Sequence, residues 1–482
     1  MNKQTLASGD AARESSPVAK SVGILMGGQA TAHLLTLAAA PLLTRLYSPQ
    51  DFGAAAVFAA LLAFFSVVAN LRYELAIALP ASDADAENLA ALCLLCLGAT
   101  TGVSALLVLA FGAPLANLIN WGLDAAYLWL LPFAILAAGL YGMIEKWMVR
   151  THSFGQVAQT RLLQAAISNL IQLAGSGFGV LALMGGSVVG QGTGGLRYAI
   201  RELRRRGTAS LRWDRIASMA TRYKAFPLYS TWTALFNVAG LQLVPLVFSA
   251  LFGTAVVGLF AFALRMVSAP TTLIGGALSN VFLAHAPAAR REGRLNVLVE
   301  NMRRKLALAG IPALVLLLAA GPELFAAVFG ERWRAAGQYA CWMAPWIYLQ
   351  FQFSPVSCLA DVLELQRLEL FAQFATFVLR FGALGVCYAI GAPADLSVAV
   401  FAAASAVAYF GMLALFMSRV GVGVFAMLAH DLGRIVLFLV CALPAILLFS
   451  GSADWRSAAG ACYFLALSAL WLHRGLRTGR KN

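Results

Sequence analysis

The chain has 482 residues, 61% of them hydrophobic and 12% charged, with 35 Lys and Arg against 21 Asp and Glu. A water-soluble fold of this size cannot hide so much apolar surface, and the mean hydropathy of +0.78 makes lipid the expected solvent. The formal charge of +14 would suit nucleic acid in a soluble protein. In a membrane protein the position of each cation matters more than the sum, and no nucleic-acid partner is expected.

Residues 1–20 are polar and of mixed charge and read as a cytoplasmic N-terminal tail, followed by an uncleaved first helix. About fourteen apolar segments then follow, each meeting the roughly 20-residue length that a bilayer crossing needs. The first six lie at 21–44, 53–79, 86–111, 125–148, 155–177 and 179–200. Six more lie at 226–249, 254–282, 304–329, 336–360, 366–390 and 394–418, and a last pair at 431–450 and 456–473. Helices are expected throughout, because only a helix satisfies its own backbone polar groups inside hydrocarbon. The fold class is therefore an all-α polytopic membrane protein of about fourteen transmembrane helices.

The longest polar break, from Arg201 to Lys224, divides the chain. It sets an N-lobe over 21–212, a C-lobe over 213–424, and a C-terminal helix pair with a cytoplasmic tail over 425–482. The stretch Pro41-Leu42-Leu43 with Tyr47, Phe52, Gly53 and Phe58 is echoed by Pro245-Leu246-Val247 with Phe252, Gly253, Gly258 and Phe262. Two six-helix lobes of one orientation, with a cleft between them, are the expected architecture. With the N-terminus inside, 26 of the 35 Lys and Arg fall on cytoplasmic segments, four outside and five within spans. Both termini are thus expected in the cytoplasm. Every loop is short, none carries a nucleotide-binding GxxxxGK[ST] run, and no cofactor is expected. Of the seven cysteines, Cys93 and Cys96 form a CxxC on an apolar helix without a second pair, so no metal is expected there. The run Gly185–Gly195 lacks a preceding strand and reads as a helix-packing surface, or as a flexible one that bends as the cleft opens.

Charge inside a bilayer is costly, about 2.5–3.5 kcal/mol per residue, so residues that carry it are candidates for function. Arg265 lies mid-span, and its five donors in a fixed fork suit phosphate oxygens. Arg72, Arg161 and Arg380 are the other candidates for a cationic cavity. Arg72 could equally snorkel to headgroups, and Arg380 could be structural. Glu74 and Glu145 are candidates for coupling to an ion gradient, although Glu145 is also placed to pair with Arg161. Gln29, His33 and Asn70 are polar cavity candidates. The basic run Arg201–Arg215 is a topology anchor facing anionic headgroups.

The segment Leu43-Thr44-Arg45-Leu46-Tyr47-Ser48-Pro49-Gln50-Asp51-Phe52-Gly53 resembles the signature after the first helix of polysaccharide-export flippases. Leu71-Arg72-Tyr73-Glu74-Leu75-Ala76-Ile77-Ala78-Leu79-Pro80 is similar to the motif that closes their second helix. These are the Wzx-type flippases of the multidrug/oligosaccharidyl-lipid/polysaccharide (MOP) export superfamily, which has a MATE-like fold. The resemblance implies movement of an undecaprenyl-pyrophosphate-linked oligosaccharide (O-antigen, capsule or exopolysaccharide repeat) from the cytoplasmic to the periplasmic leaflet of a bacterial inner membrane. It also implies a cationic cavity, membrane lipids, a polysaccharide polymerase and chain-length machinery as partners, and an H+ or Na+ gradient as a possible drive. The extra terminal pair resembles the lipid II flippase branch. The alternatives are a lipid II flippase or a multidrug cation antiporter of the same fold. A membrane glycosyltransferase or polymerase belongs to a different class and would need larger loops.

Overall fold

The computed structural model describes residues 4–206, 212–357, 359–363, 365–448 and 455–478. Cys358 and the basic residues Lys3, Arg480 and Lys481 lie outside them, as do the side chains of Arg197 and Arg204–Arg206. The described residues are almost entirely helical and contain no strand. In chain order the helices are α1 (Gln4–Leu46), α2 (Pro49–Val68), α3 (Asp83–Leu118), α4 (Leu130–Arg150), α5 (Phe154–Ala174) and α6 (Val180–Arg206). Next come α7 (Trp213–Arg222), α8 (Thr231–Phe252), α9 (Thr254–Pro270), α10 (Gly276–Arg291), α11 (Leu295–Phe329) and α12 (Arg334–Val356). The one-turn α13 (Leu359–Val362), α14 (Gln366–Ala389), α15 (Ala394–Arg419), α16 (Val424–Leu448) and α17 (Trp455–Thr478) complete the order.

Helix covers part or all of each expected apolar segment. Among the described residues seven helical segments are long and apolar enough to cross a membrane, and an eighth if the bent pair over Phe226–Gly240 and Gln242–Phe252 is one span. The segment expected at 53–79 is not one helix. α2 stops at Val68, Leu71 and Arg72 adopt left-handed backbone with φ of 48° and 64°, and a 3-10 turn follows over Tyr73–Ala78. The segment at 254–282 is likewise broken: α9 ends at Pro270 and a π-helical turn over Thr271–Gly275 leads into α10. Proline removes a backbone donor and crowds the preceding turn, which accounts for the break. Within the supposed loop 201–224, α7 forms a separate amphipathic helix that buries Ile216 and Met219 against Tyr73, Leu89 and Leu92.

The chain packs as two compact units, Met1–Gly258 and Leu259–Asn482. In the first, the start of α2 explains the physical content of the Ser48–Gly53 motif. Ser48 caps the helix, its Oγ accepting from Asp51 N–H at 3.2 Å while Asp51 Oδ2 accepts from Ser48 N–H at 2.9 Å. Pro49 takes the first helical position, where no donor is needed. Tyr47 is buried and its hydroxyl donates to Gln172 O on α5. Gly53 lets α2 meet the start of α9 backbone to backbone. A Cβ at Gly53 would overlap the carbonyl of Thr254, and a Cβ at Gly258 would overlap that of Pro49.

In the second unit, α11 and α12 pack along their lengths. Gly321 and Gly337 give the closest approach, beside a kink at Ala320 (φ −142°, ψ 20°) that precedes Pro322. The turn between them is held by Arg334, whose Nε donates to Glu331 Oε1 at 2.6 Å and holds that exposed carboxyl below its ordinary value. Phe438 of α16, fully buried, meets Phe464 and Trp471 of α17 edge-on, which ties the terminal helices together.

Candidate functional site

Arg265 projects from α9, beyond the boundary between the units. Its side chain is exposed. Among the described residues no hydrogen bond or ion pair engages its guanidinium. All five of its donors remain available for an anion.

In the first unit the structure brings together three of the residues expected to function. Arg161 of α5 donates through Nη2 to Glu145 Oε1 of α4 at 3.0 Å and through Nη1 to Gln29 Oε1 of α1 at 2.6 Å. The ion pair is partly accessible, with side-chain exposures of 29% for Arg161 and 18% for Glu145. Glu145 is therefore spent on Arg161 in this conformation. His33, also on α1, is exposed, and no hydrogen bond joins it to that trio.

Asn70 and the residues after it serve the break in the second segment. Asn70 is buried and donates through Nδ2 to Gly139 O of α4 at 2.9 Å, while its Oδ1 has no partner. Arg72 Nε and Glu74 Oε2 are each buried without a hydrogen bond. Arg72 and Lys146 lie close enough to Glu74 for their charges to act on it. Thus the short 3-10 turn carries an acid and a base whose hydrogen-bonding capacity is only partly used. Arg150, absent from the candidates drawn from sequence, closes this turn from α4. It donates to Ile77 O at 3.2 Å, Pro80 O at 2.7 Å and Asp83 Oδ1 at 3.0 Å. A surface cavity of about 590 Å³ lies beside it, lined by Ala78, Asp83, Val149, Arg150, Thr151, His152 and Phe154.

Arg380 of α14 is 9% exposed and stands in an aromatic cage within the second unit. Its guanidinium carbon lies 5.0 Å from the Trp346 ring centre, 5.4 Å from Tyr409 and 5.7 Å from Phe401. Nε and Nη2 have no hydrogen-bond partner. The ring faces supply negative electrostatic potential where no carboxylate does.

The group that sequence reasoning missed lies where α11, α12 and α16 meet. Arg303, fully buried, donates to both Glu300 oxygens at 2.9 and 3.0 Å, to Gln352 Oε1 at 2.8 Å and to Asp431 Oδ2 at 2.6 Å. The signal was present in the spacing. Leu295, Val299, Arg303 and Leu306 form one buried helical stripe, and Glu300 sits one turn before the arginine. Among the described residues no three His, Cys, Asp or Glu side chains are grouped to hold a metal ion.

A family model described as polysaccharide biosynthesis protein matches residues 42–338. No curated protein matches the sequence. Among solved structures, the chain is similar to the lipid II flippase MurJ in an inward closed conformation. The TM-score is 0.68 at 12% identity, covering 93% of this chain and 99% of that one. A point mutant of MATE is matched at a TM-score of 0.41 and 13% identity, over 82% of this chain and 96% of that one. The MurJ likeness establishes the fold.

Proposed function

The chain belongs to the polysaccharide biosynthesis protein family, and from that premise we propose that it is a flippase, not an enzyme, for lipid-linked oligosaccharide. Its substrate is an undecaprenyl-pyrophosphate-linked repeat unit of O-antigen, capsule or exopolysaccharide. It acts by alternating access in a bacterial inner membrane, with both termini in the cytoplasm. The observation that carries this reading is Arg265: an arginine well inside α9, exposed and engaged by no partner among the described residues. A guanidinium costs several kcal/mol to hold in such a place, and a pyrophosphate that binds there repays it with bidentate, charge-assisted hydrogen bonds. Arg72, Arg161 and Arg380 are the further cationic candidates, with Gln29, His33 and Asn70 beside them as polar ones. Glu74 fits an ion-coupling role better than Glu145, because Glu145 is already paired with Arg161. A polymerase and chain-length proteins are the expected partners downstream, and an H+ or Na+ gradient the expected drive.

Lipid II transport is the second reading, favoured by the likeness to MurJ along nearly the whole chain. Both readings are tested by flipping of fluorescent polyprenyl-pyrophosphate substrates in proteoliposomes, one carrying an oligosaccharide and one a lipid II headgroup. Oligosaccharide flipping that Arg265→Ala abolishes, in a variant that still folds and inserts, supports the main reading. Lipid II flipping alone supports the second. Export of cationic dyes without either lipid would replace both with an antiporter.

A further inference from the structure

The buried ionic cluster of the second unit has more hydrogen-bond donors than acceptors. Its two carboxylates are committed to Arg303: Glu300 through both oxygens and Asp431 through Oδ2. Among the described residues, Nη1 of Arg434, Nε2 of Gln352 and the hydroxyl of Tyr348 are buried without a partner, as is the carboxylate oxygen Oδ1 of Asp431. Arg434 follows Asp431 by one helical turn, the usual spacing for an ion pair, yet Asp431 Oδ1 and Arg434 Nη1 do not hydrogen-bond each other. Arg434 also lies close enough to Arg303 and Arg304 to feel both like charges. Two guanidinium groups, Arg304 on α11 and Arg434 on α16, therefore stand near each other, with the charge of Asp431 shared between Arg303 and Arg434.

Arg304 and Arg434 stand where the long apolar runs of α11 and α16 begin, from Leu306 and from Ile435. Trp471 of α17 donates from Nε1 to Leu308 O of α11 at 3.2 Å and packs on Phe438 of α16 with ring centres 5.2 Å apart. Arg304 and Arg434 are partly accessible, and Lys305 beside them is exposed. Two cations at the border of apolar helical runs, with an indole donor on the neighbouring helix, have the composition of a headgroup-depth site.

We propose that Arg304 and Arg434 form a binding site for the phosphate group of an anionic lipid, one without a choline to neutralise it, held against α11 and α16 at headgroup depth. A phosphate oxygen offers the acceptors that the cluster lacks, and its negative charge removes the repulsion between the two arginines. The same chemistry could be supplied by a membrane phospholipid or by the polyprenyl-linked pyrophosphate. The site does not depend on the transport reading, because it concerns binding at rest.

The test is lipid retention by the full-length protein in native mass spectrometry, with phosphatidylglycerol, phosphatidylcholine and polyprenyl pyrophosphate offered separately. Phosphatidylglycerol or polyprenyl pyrophosphate should be retained over phosphatidylcholine. Arg434→Gln and Arg304→Gln should each lower that retention by about fivefold, the effect of one cation at a lipid surface. Arg419→Gln, an exposed cation at the end of α15, should leave it unchanged. Retention of phosphatidylglycerol alone assigns the site to a bound phospholipid, and retention of the pyrophosphate assigns it to the substrate headgroup. Should Arg434→Gln not fold, Arg434→Lys carries the test, keeping the charge and losing the fork. Wild-type retention in the Arg434 and Arg304 variants, or an equal loss in Arg419→Gln, overturns the proposal.

Discussion

Arg303 marks where a residue-by-residue count of positive charge stops being informative. A count by segment treats Arg303, Arg304 and Lys305 alike, whereas the helical stripe turns Arg303 inward and its neighbours Arg304 and Lys305 outward. Removing one partner from a buried ion pair leaves the other charge uncompensated and costs about 3–5 kcal/mol. Arg303→Ala is therefore expected to abolish the monodisperse peak in detergent size-exclusion chromatography. Arg303→Met combined with Glu300→Gln and Asp431→Leu should recover part of it, because no charge is then stranded. A single Arg303→Ala variant as stable as wild type would refute the network's importance. Other residues were more open to sequence reading. The Glu145–Arg161 pair follows from two spans joined by a short turn, which leaves facing positions few alternatives. Arg150 was hidden because its three acceptors lie in a 3-10 turn and the short link after it to the start of α3, a stretch that hydropathy reads in part as helix.

At the scale of elements, hydropathy reports how long a segment stays apolar but not whether its backbone stays helical. That is why α2 and α9 are shorter than their apolar segments, ended by left-handed residues at Leu71 and Arg72 and by Pro270. Close packing is legible only where small residues recur. The Phe-Gly echo drew attention to Gly53 and Gly258, and the structure gives the reason, since each meets backbone of the other's helix. Glycine is enforced there by contact, because neither residue has positive φ. Gly53→Ala and Gly258→Ala should each lower the thermal midpoint in detergent, at a cost in the 1–3 kcal/mol range of an overpacked interior. Gly98, mid-helix in α3 with open space around its Cα, supplies the contrast. Gly98→Ala should hold or raise the midpoint by the helix-propensity gain of about 0.5–1 kcal/mol. Equal midpoints for all three variants would mean that the α2–α9 approach is not tight in the membrane.

For the whole molecule, composition alone was enough to read an all-helical membrane fold, because lipid leaves few other solutions to the backbone's polar groups. Counting crossings is harder. α1 dilutes its apolar stretch with the polar residues before Ser21, α9 and α10 divide one apolar stretch between them, and α8 bends by 47°. Labelling decides the count without relying on hydropathy. In a background lacking the seven native cysteines, Glu292→Cys and Glu331→Cys bracket α11, whose 35 residues extend about 52 Å, well over a bilayer core. An impermeant maleimide added outside intact cells should label Glu331→Cys and spare Glu292→Cys until the membrane is opened. If fourteen helices cross, the number is even, so Gln4→Cys and Thr478→Cys must both behave like Glu292→Cys. Termini that label from opposite sides would make the count odd. The helix pair beyond α15 would then have to contain one crossing and one helix that returns or lies along the surface. That outcome would also place Arg434 and Trp471 at different depths, which the direct packing of Trp471 on Phe438 makes hard to satisfy.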